Sequence, residues 1–321
     1  MIIIARWIFV LFCCFSIALN AIGAEPIQCK LRGMAETVAF SPDGKTIAGG
    51  GADRMVRIWD ATDGKQLYEL PIFEPNDQSP GVTTVAFSPD GKTLAVAAAQ
   101  GKPVTFWDAA SGTKLDQTLE LNHSQQFAWG IAFSPDGSSL AAAGPDGLRV
   151  WDLAANKPQF VIPLGDWFVP RKVVFSPDGS LLATEAGEIF KSGSGKVFWY
   201  DRKLAANSVA FSPDGKLLVT GRYDLDIWDL QTKKKILEHA DKKPGVIFCL
   251  SVNGDTIATG GASMDVRLWN INTGTPTGLL KGHTDQVVAL SFSPDGKRLA
   301  SASLDKSVLI WTLERDATKS D

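Results

Sequence analysis

Histidine is the side chain that most often carries acid–base or metal chemistry near neutral pH, and this chain has three: His123, His239 and His283. Each stands shortly before an alternating apolar stretch, which places it near the start of a strand. The sequence contains no His-Glu-x-x-His, Gly-x-Ser-x-Gly or Cys-x-x-Cys-His pattern. We therefore predict no catalytic residue, no metal ligand and no cofactor, and we do not expect an enzyme.

The secondary-structure elements that must position any functional side chain come from an internal sequence repeat. The string Phe-Ser-Pro-Asp-Gly occurs six times, and a degenerate copy at residues 250–254 fills the one gap. A fixed period of this length is typical of solenoids and propellers. The period is about 42 residues, measured between the serines of the seven copies: Ser41, Ser88, Ser134, Ser176, Ser212, Ser251 and Ser293.

Each repeat predicts four short strands. In the first repeat, residues 38–40 alternate, the Ser-Pro-Asp-Gly string supplies proline and glycine for a tight turn, and residues 46–48 continue as a second strand. Residues 56–60 and 66–70 supply the third and fourth. Four antiparallel strands per repeat make one propeller blade. We predict an all-β, seven-bladed β-propeller over residues 25–313, with a polar tail at 314–321.

The two ends of the propeller are predicted to meet. The last repeat ends at its third strand, residues 308–313, whereas an unassigned strand at residues 27–31 precedes the first repeat. An open ring would leave exposed sheet edges. The N-terminal strand is therefore expected to complete the last blade.

Residues 1–24 have the layout of a signal peptide. Arg6 precedes an apolar run at residues 7–19, and small residues follow at 21–24. The run is shorter than the roughly 20 residues that span a membrane. We expect an exported protein, periplasmic or secreted, with no other membrane segment; an uncleaved N-terminal anchor is the alternative.

Trp-Asp pairs close the third strand in four of the repeats, at Trp59, Trp107, Trp151 and Trp228. Together with the period, they make the chain resemble the WD-repeat family, and the signal sequence suggests a bacterial-type exported member. In the fourth repeat the register places Phe190 in the tryptophan position and Trp199 on the outer strand.

The resemblance implies a structural hydrogen-bond network instead of a catalytic one. In the seventh repeat it would join His283 and Asp305 to Trp311 through Ser301 or Ser303. Trp59 and Asp53 are expected to serve the fold in the same way in the first repeat. Outside the signal, Cys29 should lie on an outermost strand and Cys249 on an innermost strand of another blade, too far apart for a disulfide.

The chain has a formal net charge of −3, and we predict no nucleic-acid partner, which would call for a clustered basic face. The resemblance implies that partners dock where the first strands begin. We expect a protein partner and a monomeric chain, with a glycan as the alternative ligand and a propeller hydrolase as the less favoured activity. The predicted partner-binding residues, rich in the aromatic and arginine types that dominate interfaces, are Glu36, Phe127, Trp129, Trp167, Phe168, Arg171 and Tyr223.

Overall fold

Strand pairing, not helix packing, organises this protein. A computed structural model describes residues 25–74, 76–77, 79–99, 102–121, 128–145, 147–162, 170–238 and 245–313. Within these ranges the chain forms seven four-stranded antiparallel sheets. The predicted signal peptide, residues 1–24, and the predicted tail, residues 314–321, lie outside the described residues.

The strands follow the repeats closely. The first, β1 (Ile27–Lys30), precedes blade 1, and a short 3₁₀ helix (Arg202–Leu204) joins blades 4 and 5. Grouped by blade, the remaining strands are, in blade 1, β2 (Ala35–Phe40), β3 (Thr46–Gly51), β4 (Met55–Asp60) and β5 (Gln66–Pro71); in blade 2, β6 (Val82–Phe87), β7 (Thr93–Ala98), β8 (Val104–Asp108) and β9 (Lys114–Leu119); in blade 3, β10 (Gly130–Phe133), β11 (Ser139–Gly144), β12 (Gly147–Asp152) and β13 (Lys157–Ile162); in blade 4, β14 (Val173–Phe175), β15 (Leu181–Thr184), β16 (Glu188–Lys191) and β17 (Val197–Tyr200); in blade 5, β18 (Ser208–Phe211), β19 (Leu217–Gly221), β20 (Leu225–Asp229) and β21 (Lys234–Glu238); in blade 6, β22 (Ile247–Asn253), β23 (Thr256–Gly261), β24 (Val266–Asn270) and β25 (Pro276–Leu280); and in blade 7, β26 (Val287–Phe292), β27 (Arg298–Ser303) and β28 (Ser307–Thr312).

The N-terminal strand completes blade 7, as the sequence predicts. β1 pairs antiparallel with β28, and the register joins Ile27 to Ile310 and Lys30 to Ser307. The innermost strands of successive blades contact one another around the ring, including β2 with β26. The chain is therefore a closed seven-bladed β-propeller, and a hydrogen bond of 3.0 Å from the Phe40 N–H to Ser291 Oγ links its last blade to its first.

Two faces follow from this topology. We call the lower face the one that carries the Ser-Pro-Asp-Gly turns and the turns between third and fourth strands. The upper face carries the loops before the first strands and the turns between second and third strands. No helix in the described ranges is long and apolar enough to cross a membrane.

Blade 4 has the register that the sequence predicts. Phe190 pairs with Leu182 on the neighbouring strand, just as Trp59 pairs with Ile47 in blade 1. Trp199 lies on the outer strand β17, where it is buried. Phenylalanine thus fills the position that tryptophan holds in the other blades.

The degenerate copy in blade 6 is a correction to the repeat alignment. Val252 pairs with Ile257 and Asn253 with Thr256, so Val252 occupies the position of Phe40, and Ser251 lies inside β22. The turn is two residues shorter than a Ser-Pro-Asp-Gly turn because Gly254, at φ +54°, closes a tighter hairpin. The similar composition of residues 250–254 therefore concealed a shift in the register of strand pairing.

The cysteines occupy the strands expected for them. Cys29 lies on the outer strand β1 of blade 7, and Cys249 lies on the inner strand β22 of blade 6. Both are buried free thiols. They pack as small apolar groups in separate core clusters.

Candidate functional site

A hydrogen-bonded network in blade 7 contains the histidine that the sequence singled out. His283 Nδ1 lies 2.8 Å from Asp305 Oδ2, and His283 Nε2 lies 2.7 Å from Ser301 Oγ. The Trp311 indole N–H donates to the same hydroxyl at 2.9 Å. The network therefore connects the upper-face loop before β26 to strands β27 and β28. Each of its side chains is hydrogen-bonded to another member of the network.

Ser301, and not Ser303, links the histidine to the tryptophan. Ser303 Oγ donates instead to the Asp285 carbonyl at 3.0 Å and accepts the Asp305 N–H at 3.1 Å. Burial lowers the pKa of His283, and the nearby Asp305 carboxylate only partly opposes that effect. The buried site therefore favours the neutral form of the imidazole.

Blade 1 is built differently at the corresponding place. Trp59 is buried, but Gly49 takes the position of Ser301 and offers no hydroxyl. Asp53 Oδ2 accepts a hydrogen bond of 2.5 Å from Arg57 Nη1, and Arg57 Nε donates to Glu69 Oε2 at 3.0 Å. Trp59 and Asp53 are thus both fold residues, but they do not belong to one network.

The mouth of the central channel brings together part of the predicted partner-binding set. A cavity of about 220 Å³ opens at the ring axis and is lined by the inner strands of all seven blades. Glu36, Trp129 and Arg171 all line it. Desolvation in this cavity raises the pKa of the Glu36 carboxyl.

Trp129 and Arg171 form the most prominent contact at the mouth. The guanidinium carbon of Arg171 lies 4.9 Å from the centre of the Trp129 ring, in the geometry of a cation–π pair. Trp129 is half-buried, and Arg171 is exposed. The pair therefore places an aromatic ring beside an exposed guanidinium group at the mouth of the channel.

The other predicted residues lie elsewhere. Tyr223 is 61% exposed on the upper turn of blade 5, stacked by Arg222 at 5.3 Å, and it does not line the cavity. Phe127, Trp167 and Phe168 fall outside the described residues. The structure therefore joins three of the seven predicted residues in one cavity.

Sequence reasoning missed a polar cluster inside the channel. Lys172 Nζ donates to Ser208 Oγ at 3.1 Å and to the Phe248 carbonyl at 3.2 Å. The Glu185 carboxylate accepts the backbone N–H groups of Arg171 and Lys172. The cluster therefore fixes the backbone direction of Arg171, which stands at the mouth.

Burial dominates the ionisation of this cluster. The narrow channel desolvates the ammonium group and lowers the pKa of Lys172, and burial likewise raises the pKa of Glu185. A signal for Glu185 does exist in the sequence: the registers put it where other blades carry Gly50, Ala143 or Gly221. A carboxylate in a position that elsewhere needs a small residue marks a specialised blade.

Within the ranges given above, no group of three or more His, Cys, Asp or Glu side chains has the geometry to hold a metal ion.

Comparison with known protein families identifies the type of repeat. The model described as "WD domain, G-beta repeat" matches residues 32–60, 67–102, 114–152, 203–229, 231–270 and 274–312, which together exceed half of the chain. The segment between the third and fourth matches contains blade 4, whose signature is altered by Phe190 and Lys191.

Individual relatives match shorter stretches. Periodic tryptophan protein 2 homolog of Dictyostelium discoideum is 29% identical over 45% of this chain and 17% of its own length. A coronin-like protein of Saccharomyces cerevisiae is 28% identical over 30% of this chain and 18% of its own length, and coronin-7 of Mus musculus is 39% identical over 18% and 6%.

This chain thus spans less than a fifth of these relatives' lengths. They are eukaryotic proteins, and so they lend no support to a bacterial-type origin. The family match and the closed ring of seven four-stranded blades agree with each other. The chain belongs to the WD-repeat family of β-propellers.

Proposed function

We propose that this protein is a noncatalytic scaffold that binds a protein partner on its upper face, at the mouth of the central channel. The single observation that carries the proposal is the stacked pair of Trp129 and Arg171 on the rim of a cavity to which every blade contributes. Tryptophan and arginine are the residue types most enriched among interface hot spots. WD-repeat propellers are typically protein-interaction scaffolds, and this pair supplies the chain with a local anchor.

Preorganisation supports the same location. Glu185 accepts hydrogen bonds from the backbone N–H groups of Arg171 and Lys172, so these two residues before β14 are held in place in the absence of a partner. Thr83 Oγ1 donates to the Ala128 carbonyl at 2.6 Å and so connects the residue before Trp129 to blade 2. Residues that hydrogen bonds already hold lose less conformational entropy on binding.

The partner is expected to offer a carboxylate or backbone carbonyl to Arg171 and an apolar or aromatic group to Trp129. A glycan is the alternative ligand, since the face of a sugar stacks on tryptophan in the same position. A glycan array and a protein capture experiment separate these two classes of ligand. We also propose that binding takes place outside the cytoplasm, because residues 1–24 carry the layout of an export signal.

Capture with matched variants tests the site. The full chain, tagged at its C-terminus, is used to isolate partners from the extracytoplasmic fraction of its source, and the purified partner is then titrated. Trp129→Ala and Arg171→Ala are each expected to weaken binding by about tenfold or more, since a hot-spot truncation costs about 2 kcal/mol or more. The melting temperature should stay close to that of the unmodified protein.

Lys233→Ala is the matched control. It removes another cation–aromatic pair, in which Lys233 Nζ lies 4.6 Å from the centre of the Phe198 ring, away from the channel. Its binding should be unchanged, whereas Tyr223→Ala reports whether the contact extends to blade 5. Equal affinities for the Trp129→Ala, Lys233→Ala and unmodified proteins would disprove the proposed site.

The proposed location of the protein outside the cytoplasm is tested separately. Fractionation of cells that express the tagged full chain, followed by N-terminal sequencing, should find a chain that begins near residue 25. A tagged protein confined to the cytoplasm with Met1 retained would contradict export and leave the binding proposal to its own experiment.

A further inference from the structure

A cavity between two blades lies on the lower face, away from the channel mouth. It has a volume of about 490 Å³ and opens between blades 3 and 4. We call it the 3/4 groove, and its lining includes Asp136, Ser139, Phe175, Asp178, Gly179 and Ser192.

The equivalent groove between blades 7 and 1 is filled by an arginine of the chain itself. Arg298, the first residue of β27, crosses to blade 1 and donates to the Ala61 carbonyl at 2.6 Å and to the Gly44 carbonyl at 2.7 Å. Its guanidinium carbon lies 5.7 Å from the centre of the Phe40 ring. The groove architecture therefore accommodates a guanidinium group with two carbonyl acceptors and one aromatic wall.

The registers give the corresponding acceptors in the 3/4 groove. Phe175 pairs with Leu182 as Phe40 pairs with Ile47. The Gly179 N–H closes its turn as Gly44 does, and the Ser192 N–H bonds to the Ser180 carbonyl as the Ala61 N–H bonds to Lys45. The carbonyls of Gly179 and Ser192 and the ring of Phe175 thus repeat the Arg298 site.

What differs is the side chain that would fill the site. Ser139 begins β11 at the position that Arg298 holds in β27, and its hydroxyl accepts a hydrogen bond of 3.2 Å from Gln159 of its own blade. Serine is too short to cross to the next blade. The 3/4 groove consequently stays open where the 7/1 groove is closed.

A second hydrogen-bond donor, contributed by the fourth strand of a blade, is also replaced in blade 3. In the groove between blades 2 and 3, Gln117 Nε2 donates to the Leu153 carbonyl at 3.0 Å, which is the acceptor equivalent to Ala61, and that cavity is about 250 Å³. The corresponding residue of blade 3 is Phe160, which has no donor. Both side chains that serve this type of acceptor elsewhere are thus changed in blade 3.

The charge of the 3/4 groove suits a cation. Asp136 and Asp178 stand on its rim, one from each blade. Hydrogen bonds from Ser134 and Ser176 respectively are the main cause that lowers the pKa of each carboxyl, so both stay ionised. The Gly179 carbonyl accepts one hydrogen bond from Ser192 Oγ and retains a second lone pair.

We propose that the 3/4 groove binds an arginine side chain of a partner protein, in the place that Arg298 takes between blades 7 and 1. The guanidinium donates to the Ser192 and Gly179 carbonyls, stacks near Phe175 and lies between the carboxylates of Asp136 and Asp178. This site is on the face opposite the channel mouth, so it is separate from the upper-face partner site.

The test uses N-acetyl-L-arginine amide as the probe, followed by NMR titration of the full chain and by a crystal soak. Chemical-shift changes and electron density are expected in the 3/4 groove. Ser139→Arg should abolish this binding, because the chain then fills its own groove as Arg298 does, and it should raise the melting temperature. Unchanged titration curves for Ser139→Arg, or density only elsewhere, would overturn the proposal.

A second pair of variants keeps the test valid if Ser139→Arg fails to fold. Asp178→Asn keeps the Ser176 hydrogen bond but removes one rim charge, and it should weaken binding by about threefold to fivefold. Asp214→Asn changes the same turn in blade 5 and should have no effect. N-acetyl-L-lysine amide and the uncharged citrulline analogue should bind more weakly, and equal binding of all three probes would contradict guanidinium recognition.

Discussion

At the residue scale, His283 is buried and fully hydrogen-bonded, whereas His123 and His239 lie outside the described residues. His283 is 7% exposed, and both of its ring nitrogens lie within hydrogen-bond distance of a partner. A buried, fully bonded network of this kind stabilises one conformation. His283 is therefore part of the structural network of blade 7.

This network makes stability depend on pH in a defined direction. Because the pKa of His283 is lowered in the folded state, the unfolded chain binds a proton at His283 more readily than the folded chain. The free energy of unfolding should therefore fall as the pH drops below about 6.5, the ordinary pKa of histidine. Hydrogen bonds from Ser307, Thr284 and His283 outweigh burial and lower the pKa of Asp305, so its own titration lies well below this window.

Urea unfolding of the unmodified protein and of His283→Gln between pH 5.5 and 7.5 measures the effect. His283→Gln should lose about 1–3 kcal/mol at pH 7.5, since it leaves buried partners unsatisfied, and it should show a flatter pH profile. His123 and His239 are present in both proteins and cancel in the comparison. Parallel pH profiles would show that His283 does not carry the dependence.

At the element scale, blade 4 differs from its neighbours by a buried hydroxyl group without a hydrogen-bond partner, which lowers the free energy of unfolding. Thr184 takes the position that Ser301 holds in blade 7, and its hydroxyl is buried with no hydrogen-bond partner. In blade 5 the equivalent Thr220 accepts the Trp228 indole N–H at 3.0 Å. Phe190 has no N–H to donate, so the threonine of blade 4 has lost its donor.

Thr184→Val should therefore stabilise the protein. Valine has nearly the shape of threonine and removes an unsatisfied buried hydroxyl, whose desolvation costs about 1–3 kcal/mol. We expect a gain of about 1 kcal/mol in urea unfolding. The matched variant Thr220→Val removes a hydroxyl that does have its donor, and it should lose about 1 kcal/mol; changes of the same sign would contradict the explanation.

At the scale of the whole molecule, stability depends on the closure between the N-terminal strand and blade 7. Cys29 of β1 is 2% exposed and packs in one core cluster with Val308, Ile310 and Ala61. Burial raises the pKa of its thiol to about 12, which shows how poorly this place accommodates a charge. Arg298 adds hydrogen bonds to Ala61 and Gly44 across the same junction.

Cys29→Asp should open the ring. A buried unpaired carboxylate costs about 3 kcal/mol or more, and the protein should unfold at lower urea concentration and be cleaved faster by protease near residues 25–35. Lys30→Asp places the same charge on the exposed side of the same strand and should change stability little. If both variants unfold at the same urea concentration, the closing strand does not carry the stability assigned to it.

The sequence by itself determined the number of blades, the strand order within each blade and the identity of the closing strand. These features depend on local chemistry: period-two alternation selects strands, and proline and glycine at fixed offsets select turns. The shift of Phe190 into the tryptophan position was readable for the same reason. The register of the blade 6 hairpin was not readable from the sequence. The segment around Ser251 resembles the repeated motif in composition, but its strand pairing is shifted.

Only the tertiary structure decided which side chains meet. Lys172 reaches Ser208 and the Phe248 carbonyl in two other blades, and Ser139 faces an acceptor set that belongs to blade 4. Such neighbours lie tens of residues apart, and their distances follow from how the blades pack around the axis. A repeat pattern specifies each blade separately, whereas the channel cluster and the 3/4 groove exist only between blades.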